Sequence, residues 1–116
     1  MKIEELRDYC NSKKHVTEGF PFGGDTLVFK VMDKMFALTG IDTHPPRVNL
    51  KCEPEKAIAL REEYSCVLPG YHMSKQHWNT VVLDDSVPDS LVKEWIDDSY
   101  NLIVASLPKR LRMEMD

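Results

Sequence analysis

A strict alternation of polar and apolar residues from 47 to 52 is the feature that most constrains how this chain folds. Successive side chains of a β-strand point to opposite faces, so this period predicts a strand with two different surroundings. One face carries Arg47, Asn49 and Lys51, and the other carries Val48, Leu50 and Cys52. Because only one face is apolar, we expect a sheet that is packed on one side and wet on the other.

The remaining periodic segments predict an α+β domain. Helical spacing of apolar residues predicts helices over 2–12, about 54–64 and 88–106, and Trp95 in the last of these is expected to be buried. The run 26–39 predicts a hairpin that turns at Asp33 and Lys34, and extended segments are expected at 67–70 and 78–83. In the first half of the sequence, the segments between predicted strands do not have the length of the crossover connections that join parallel strands. We therefore predict one domain, 1–116, with an antiparallel β-sheet and its helices packed on one face.

Composition narrows the class of protein. The 116 residues are 42% hydrophobic, and their longest apolar runs are far shorter than the ~20 residues that span a bilayer. The N-terminus lacks an apolar stretch of the signal-peptide type. These features predict a cytoplasmic protein that has no membrane partner, and we expect a monomer.

The three cysteines show no C-x-x-C spacing, which favours buried thiols over a disulfide framework.

Charge is unevenly distributed along the chain. Residues 84–106 hold one lysine against six acids, and residues 52–64 carry a net charge of −2. By contrast, residues 30–51 carry +2 and residues 65–83 carry +1. The predicted sheet is therefore basic and the predicted helices are acidic. The total of −4 argues against a generic nucleic-acid coat protein, which would be strongly basic.

No pattern in the sequence matches a catalytic or metal-binding constellation. The serines lie in no G-x-S-x-G context, and neither phosphate-loop glycine motif occurs. His72 and His77 are five residues apart, which is not the spacing of a chelating pair. The acidic rows on the helices could bind a hard cation weakly, but they are typical of solvated faces. We expect no enzymatic activity, no cofactor and no metal.

The segment 69–82 mixes aromatic, basic and amide side chains without a single acid. Such a mixture can stack on bases or sugars while it contacts phosphate. The alternative is that Tyr71 and Trp78 belong to the core and that the polar residues decorate a hairpin. The residues alone leave both interpretations open.

Several collinear blocks resemble the MmcQ/YjbR family. They are 20–23 with Asp25 and Thr26, 28–31 with 34–38, 49–52, the segment 69–82, and 106–109. The resemblance spans nearly the whole chain and implies a bacterial protein with a frataxin-like fold. It also implies that the protein binds DNA through a pair of projecting hairpins, called a double wing. The resemblance implies no catalytic residues. Gln76 stands where relatives would carry a second lysine, which weakens the basic wing.

The leading hypothesis is a DNA-binding module, regulatory or accessory, that uses the wet face and hairpins of the sheet. Its contacts would be Lys30, Arg47, Asn49, Lys51, Tyr71, His72, Lys75, His77 and Asn79. Lysine and arginine would meet phosphates, while asparagine and the aromatics would touch sugars and base edges. The main alternative is a non-enzymatic adaptor that binds a protein or small ligand in the same groove. A third hypothesis, by analogy with frataxin, is iron handling by the acidic helices.

Overall fold

The computed structural model describes residues 1–115. Its helices are α1 (Ile3–Asn11), α2 (Pro54–Glu63), α3 (Asp89–Ser106) and α4 (Lys109–Glu114). Its strands are β1 (Val16–Gly19), β2 (Thr26–Val31), β3 (Lys34–Gly40), β4 (Arg47–Lys51), β5 (Val67–Pro69) and β6 (Trp78–Val82). The strands form one antiparallel sheet in the order β1-β2-β3-β4-β6-β5. The predicted α+β architecture is confirmed.

The main core lies between the helices and one face of the sheet, here called the helix-covered face. Alternate residues of β2 and β4 pack there against α1 and α3, as the alternation of β4 predicts. The buried members from these four elements are Leu27, Phe29, Val31, Val48, Leu50, Leu6, Cys10, Val92, Trp95, Ile96 and Ile103. Trp95 is 5% exposed, so its predicted burial is confirmed, whereas Ser106 at the end of the same helix is exposed.

The opposite side of the sheet, here called the open face, carries a second and smaller apolar cluster. Val28, Leu38 and Trp78 are buried there, with Met35 and Met73 packed against them. Trp78 is 9% exposed and lies opposite Lys51 in the register of β4 and β6. The sequence left open whether Trp78 packs in the core or stacks on a ligand, and the structure shows neither. Trp78 lies outside the main core, and it is too buried to stack on a ligand.

The buried hydroxyl of Ser99 joins α3 to the sheet where β3 and β4 separate. Their pairing ends at Ala37 and Leu50, and a bulge at residue 36 shifts the register of β2 and β3. Beyond that pair, Ser99 Oγ accepts a hydrogen bond from the Lys51 amide at 2.8 Å and donates one to the Phe36 carbonyl at 2.6 Å. The side chain thus satisfies two backbone groups that have left the ladder.

Replacing Ser99 with alanine should destabilise the fold. The Lys51 amide and the Phe36 carbonyl would both lose a partner in a dry environment, which costs about 1–3 kcal/mol. Urea unfolding followed by circular dichroism measures this loss. Ser106→Ala in the same helix is the matched control and should change the free energy of unfolding by less than about 0.5 kcal/mol. Equal unfolding midpoints for the two variants would contradict this role of Ser99.

Three features differ from the sequence-based prediction. Strand β1 and helix α4 were not predicted, and they add an edge strand and a short helix after Pro108. The hairpin turns at Met32 and Asp33, both with positive φ, and not at Asp33 and Lys34. Two consecutive positive φ angles are typical of the two-residue turns that match the twist of a hairpin.

The three cysteines are free and buried, as predicted. Burial raises the pKa of the Cys10 thiol to about 12 and also raises the pKa of Cys52. Thiols with raised pKa values are poor nucleophiles at neutral pH, so these side chains act as small apolar residues. Over residues 1–115, no helix is long and apolar enough to cross a bilayer.

Candidate functional site

A groove of about 500 Å³ crosses the open face among three loops, which connect β1 to β2, β3 to β4 and β5 to β6. The strand residues Leu38, Asn49 and Thr80 form its floor, and Phe22, Tyr71 and His72 lie along its sides. Arg47, Asp25 and Thr43 also line it. Its volume falls within the ~300–1,000 Å³ typical of small-ligand sites. The groove therefore has the size and concavity of a binding site.

The floor of the groove is built by the sheet register. Leu38, Asn49 and Thr80 are direct partners across β3, β4 and β6, so their side chains lie side by side. The Thr80 hydroxyl donates a hydrogen bond to Asn49 Oδ1, which fixes the orientation of the Asn49 amide. Asn49 Nδ2 in turn lies 3.4 Å from the Tyr71 carbonyl oxygen, to which it donates. An amide nitrogen carries two hydrogens, so one donor of Asn49 remains for a ligand.

Tyr71 is held by its backbone while its ring extends into solvent. Its amide donates to Thr80 Oγ1 at 3.0 Å, and its carbonyl accepts from Asn49. The preceding Gly70 approaches the backbone of β6 so closely that a Cβ would lie 2.8 Å from the Trp78 carbonyl oxygen. The Tyr71 ring is nevertheless 67% exposed and contacts the His72 ring at a centroid distance of 4.0 Å. The loop thus presents a pre-positioned aromatic surface.

Four cations lie on or beside the open face, and only one of them, Arg47, lines the groove itself. Within residues 1–115, every ion pair lies among the helices and the segments next to them. The N-terminus pairs with α3 and with the segment before it, α1 pairs with β1, the turn after α1 pairs with α3, and α2 pairs with α3. None of these pairs includes an open-face cation from the set Lys30, Arg47, Lys51 and Lys75. Lys75 Nζ instead donates to the Gly70 carbonyl at 3.2 Å. The positive charges of this side remain available to an anionic ligand.

The structure brings together four of the nine residues predicted to bind a ligand. Arg47, Asn49, Tyr71 and His72 line the groove. Lys30 lines a neighbouring depression of about 380 Å³ beside β1, and Lys51 follows Asn49 along the same side of β4. Lys75 and His77 are exposed in the loop that leads into β6. These eight residues therefore lie on the open face or in and beside the loops around it, and their role in binding stays a prediction.

Asn79 is the exception, and its predicted place on the wet face is wrong. Its side chain is 2% exposed and points to the helix-covered face, where Nδ2 donates to the Ala57 carbonyl at 3.3 Å. The strand period explains the error. Because Trp78 and Thr80 lie on the open face, the residue between them must point the other way.

Thr80 and Phe22 are among the groove residues that were not assigned a role from the sequence. Thr80 could have been found by counting two positions from Trp78, once the face of the tryptophan was known. Phe22 gave no such signal, since it lies in an irregular loop and reaches the groove only through the tertiary fold. In the part of the chain from 1 to 115, no group of three His, Cys, Asp or Glu side chains could hold a metal ion.

Comparisons with known proteins agree on one family. The YjbR family model matches residues 11–102. Uncharacterized protein YjbR of Escherichia coli strain K12 is 38% identical over 112 residues, which are 97% of this chain and 95% of that protein. Uncharacterized protein YyaQ of Bacillus subtilis strain 168 is 37% identical over 79 residues, or 66% of this chain and 63% of that protein.

A solved structure extends the likeness to three dimensions. The crystal structure of Deinococcus radiodurans protein DR2400 superposes with a TM-score of 0.92 at 41% sequence identity. The match covers 98% of this chain and 87% of that one. The family model covers most of the chain, and the Escherichia coli relative and the solved structure cover nearly all of it, so the chain belongs to the YjbR family.

Proposed function

We propose that this chain binds DNA through its open face, as a regulatory or accessory module. The observation that carries the proposal is the placement of unpaired cations beside a groove with exposed aromatic side chains. Phosphate contacts from lysine and arginine position a protein on DNA, and aromatic or amide groups contact sugars and bases. The open face holds both kinds of group within one surface.

The acidic helices support a defined orientation. Asp84, Asp85, Glu94, Asp97 and Asp98 lie in or just before α3, on the side of the molecule opposite the groove. Their negative potential repels a phosphate backbone, whereas the open-face cations attract it. A net charge of −4 is therefore compatible with DNA binding on one face, although it keeps non-specific affinity weak.

The salt dependence of binding tests this proposal. Lys30, Arg47, Lys51 and Lys75 together would neutralise about three or four phosphates, so the log–log slope of affinity against salt should be about −3 to −4 on duplex DNA and about −2 to −3 on a single strand. Fluorescence anisotropy with random-sequence duplex and single-stranded DNA across a salt series measures the slope. Binding that does not respond to salt would remove the DNA hypothesis.

The second candidate is a non-enzymatic adaptor that binds a small ligand or a protein in the same groove. The observation that favours it is the carboxylate of Asp25 on the lining, which a phosphate backbone would avoid. An adaptor would bind its ligand without the counterion release that DNA produces. The salt series therefore separates the two functions.

A further inference from the structure

We propose that the groove holds one unstacked DNA base between Phe22 and Tyr71, so that the chain binds single-stranded DNA in preference to duplex. The inference rests on the proposed function and names the form of DNA that the open face selects. Three observations carry it: the exposure of the two rings, the fixed backbone of Tyr71, and the hydrogen-bonding groups on the floor.

The two rings are exposed to a degree that the fold does not require. Phe22 is 66% exposed and Tyr71 is 67% exposed, and both line the groove. Neither belongs to the main core or to the apolar cluster on the open face. Aromatic side chains beside a positively charged surface are the usual stacking partners of bases in single strands, because every base has a π-face.

Tyr71 is ordered before any ligand arrives. The Tyr71 amide donates to Thr80 and its carbonyl accepts from Asn49, and the close approach of Gly70 to Trp78 fixes where the loop leaves the sheet. A backbone that is already ordered loses little conformational entropy on binding, which raises affinity. Thr80 and Asn49 are thus positioning residues for the backbone that carries the ring.

The floor and side of the groove offer donors to the edge of a base. Asn49 keeps one amide hydrogen, and the Arg47 guanidinium carries five donors in a planar fork. Ring nitrogens and carbonyl oxygens on a base edge accept such bonds. In a duplex the faces of the bases are covered by their stacked neighbours, so only an unpaired or extruded base can lie against an aromatic ring.

The test compares three DNAs of equal length: a single strand with natural bases, the same strand with abasic sites, and a duplex. The natural single strand should bind best. Stacking on an aromatic side chain contributes about 1–3 kcal/mol per base, so the abasic strand should bind about 5- to 150-fold more weakly. Binding at constant salt, by fluorescence anisotropy, gives these ratios.

Variants at the two rings supply the matched comparison. Tyr71→Ala and Phe22→Ala should each weaken binding of the natural strand by about 5- to 150-fold, without changing the affinity for the abasic strand. Phe20→Ala is the control, since Phe20 belongs to the same loop and is 48% exposed but lies outside the groove lining. It should bind like the wild type. Circular dichroism confirms that each variant remains folded.

Two outcomes would overturn the inference, and they are distinguishable. Equal affinity for natural and abasic strands, with a salt slope still near the −2 to −3 of about three or four contacts on a single strand, would remove the base site and leave DNA binding intact. Absence of binding to all three DNAs would remove the proposed function, and this inference with it.

Discussion

Trp95→Ala should lower the free energy of unfolding by about 3–5 kcal/mol, as large-to-small changes in a packed core do. The indole is 5% exposed on α3 and meets the Tyr64 ring edge-on at a centroid distance of 5.2 Å. It also lines a void of about 10 Å³ with Leu50, Val67 and Val81, so its removal would enlarge an existing cavity. Urea unfolding followed by circular dichroism at several wavelengths measures the loss.

The matched control is Asn101→Ala, an exposed position in the same helix. We expect a change within about 0.5 kcal/mol, because the side chain makes no core contact. If Trp95→Ala unfolds at the same urea concentration as Asn101→Ala, the packing of α3 on the sheet is not as described.

Elements with a strong period could be predicted from the sequence. β4 alternates without a break, and its two faces meet the main core and the open face as expected. Helix α3 begins within one residue of the predicted start and ends at the predicted residue, since a proline lies near each end. In these elements the local pattern and the tertiary packing require the same conformation.

Elements that depend on distant partners could not be predicted. β1 has only four residues, and Glu18 within it is held by Arg7 and Asn11 of α1. The bulge at Phe36 inserts one residue into β3, which displaces the turn of the hairpin from where alternation alone would put it. Both features arise from contacts between segments that a periodicity argument treats separately.

The candidate site likewise contains some residues that could be predicted from the sequence and others that could not. Arg47 and Asn49 were found because they alternate along one strand, and Tyr71 and His72 because they lie in a basic and aromatic segment. Asn79 was misplaced since the face of β6 depends on where Trp78 lies, and Trp78 could have packed on either side. Phe22 reaches the groove through a loop far away in sequence, so only the fold reveals it.

The central claim is that the open face neutralises phosphate charge, and the double variant Arg47→Ala with Lys51→Ala tests it most directly. Each substitution removes about one phosphate contact, so the salt slope should flatten from about −3 to −4 to about −1 to −2. At about 50 mM salt, the loss of two contacts should weaken binding by about a hundredfold on all sequences alike. Both side chains are solvent-accessible on β4, so the variant should keep its fold.

Lys93→Ala is the control that removes one positive charge from the other side of the molecule. Lys93 is exposed on α3, where its Nζ lies 5.3 Å from the centre of the Tyr9 ring. The measurement is the slope of affinity against salt for wild type, the double variant and Lys93→Ala, with one labelled duplex. The account predicts a slope flattened by about two units in the double variant and unchanged in Lys93→Ala. An unchanged slope in the double variant, or an equal flattening in Lys93→Ala, would contradict it.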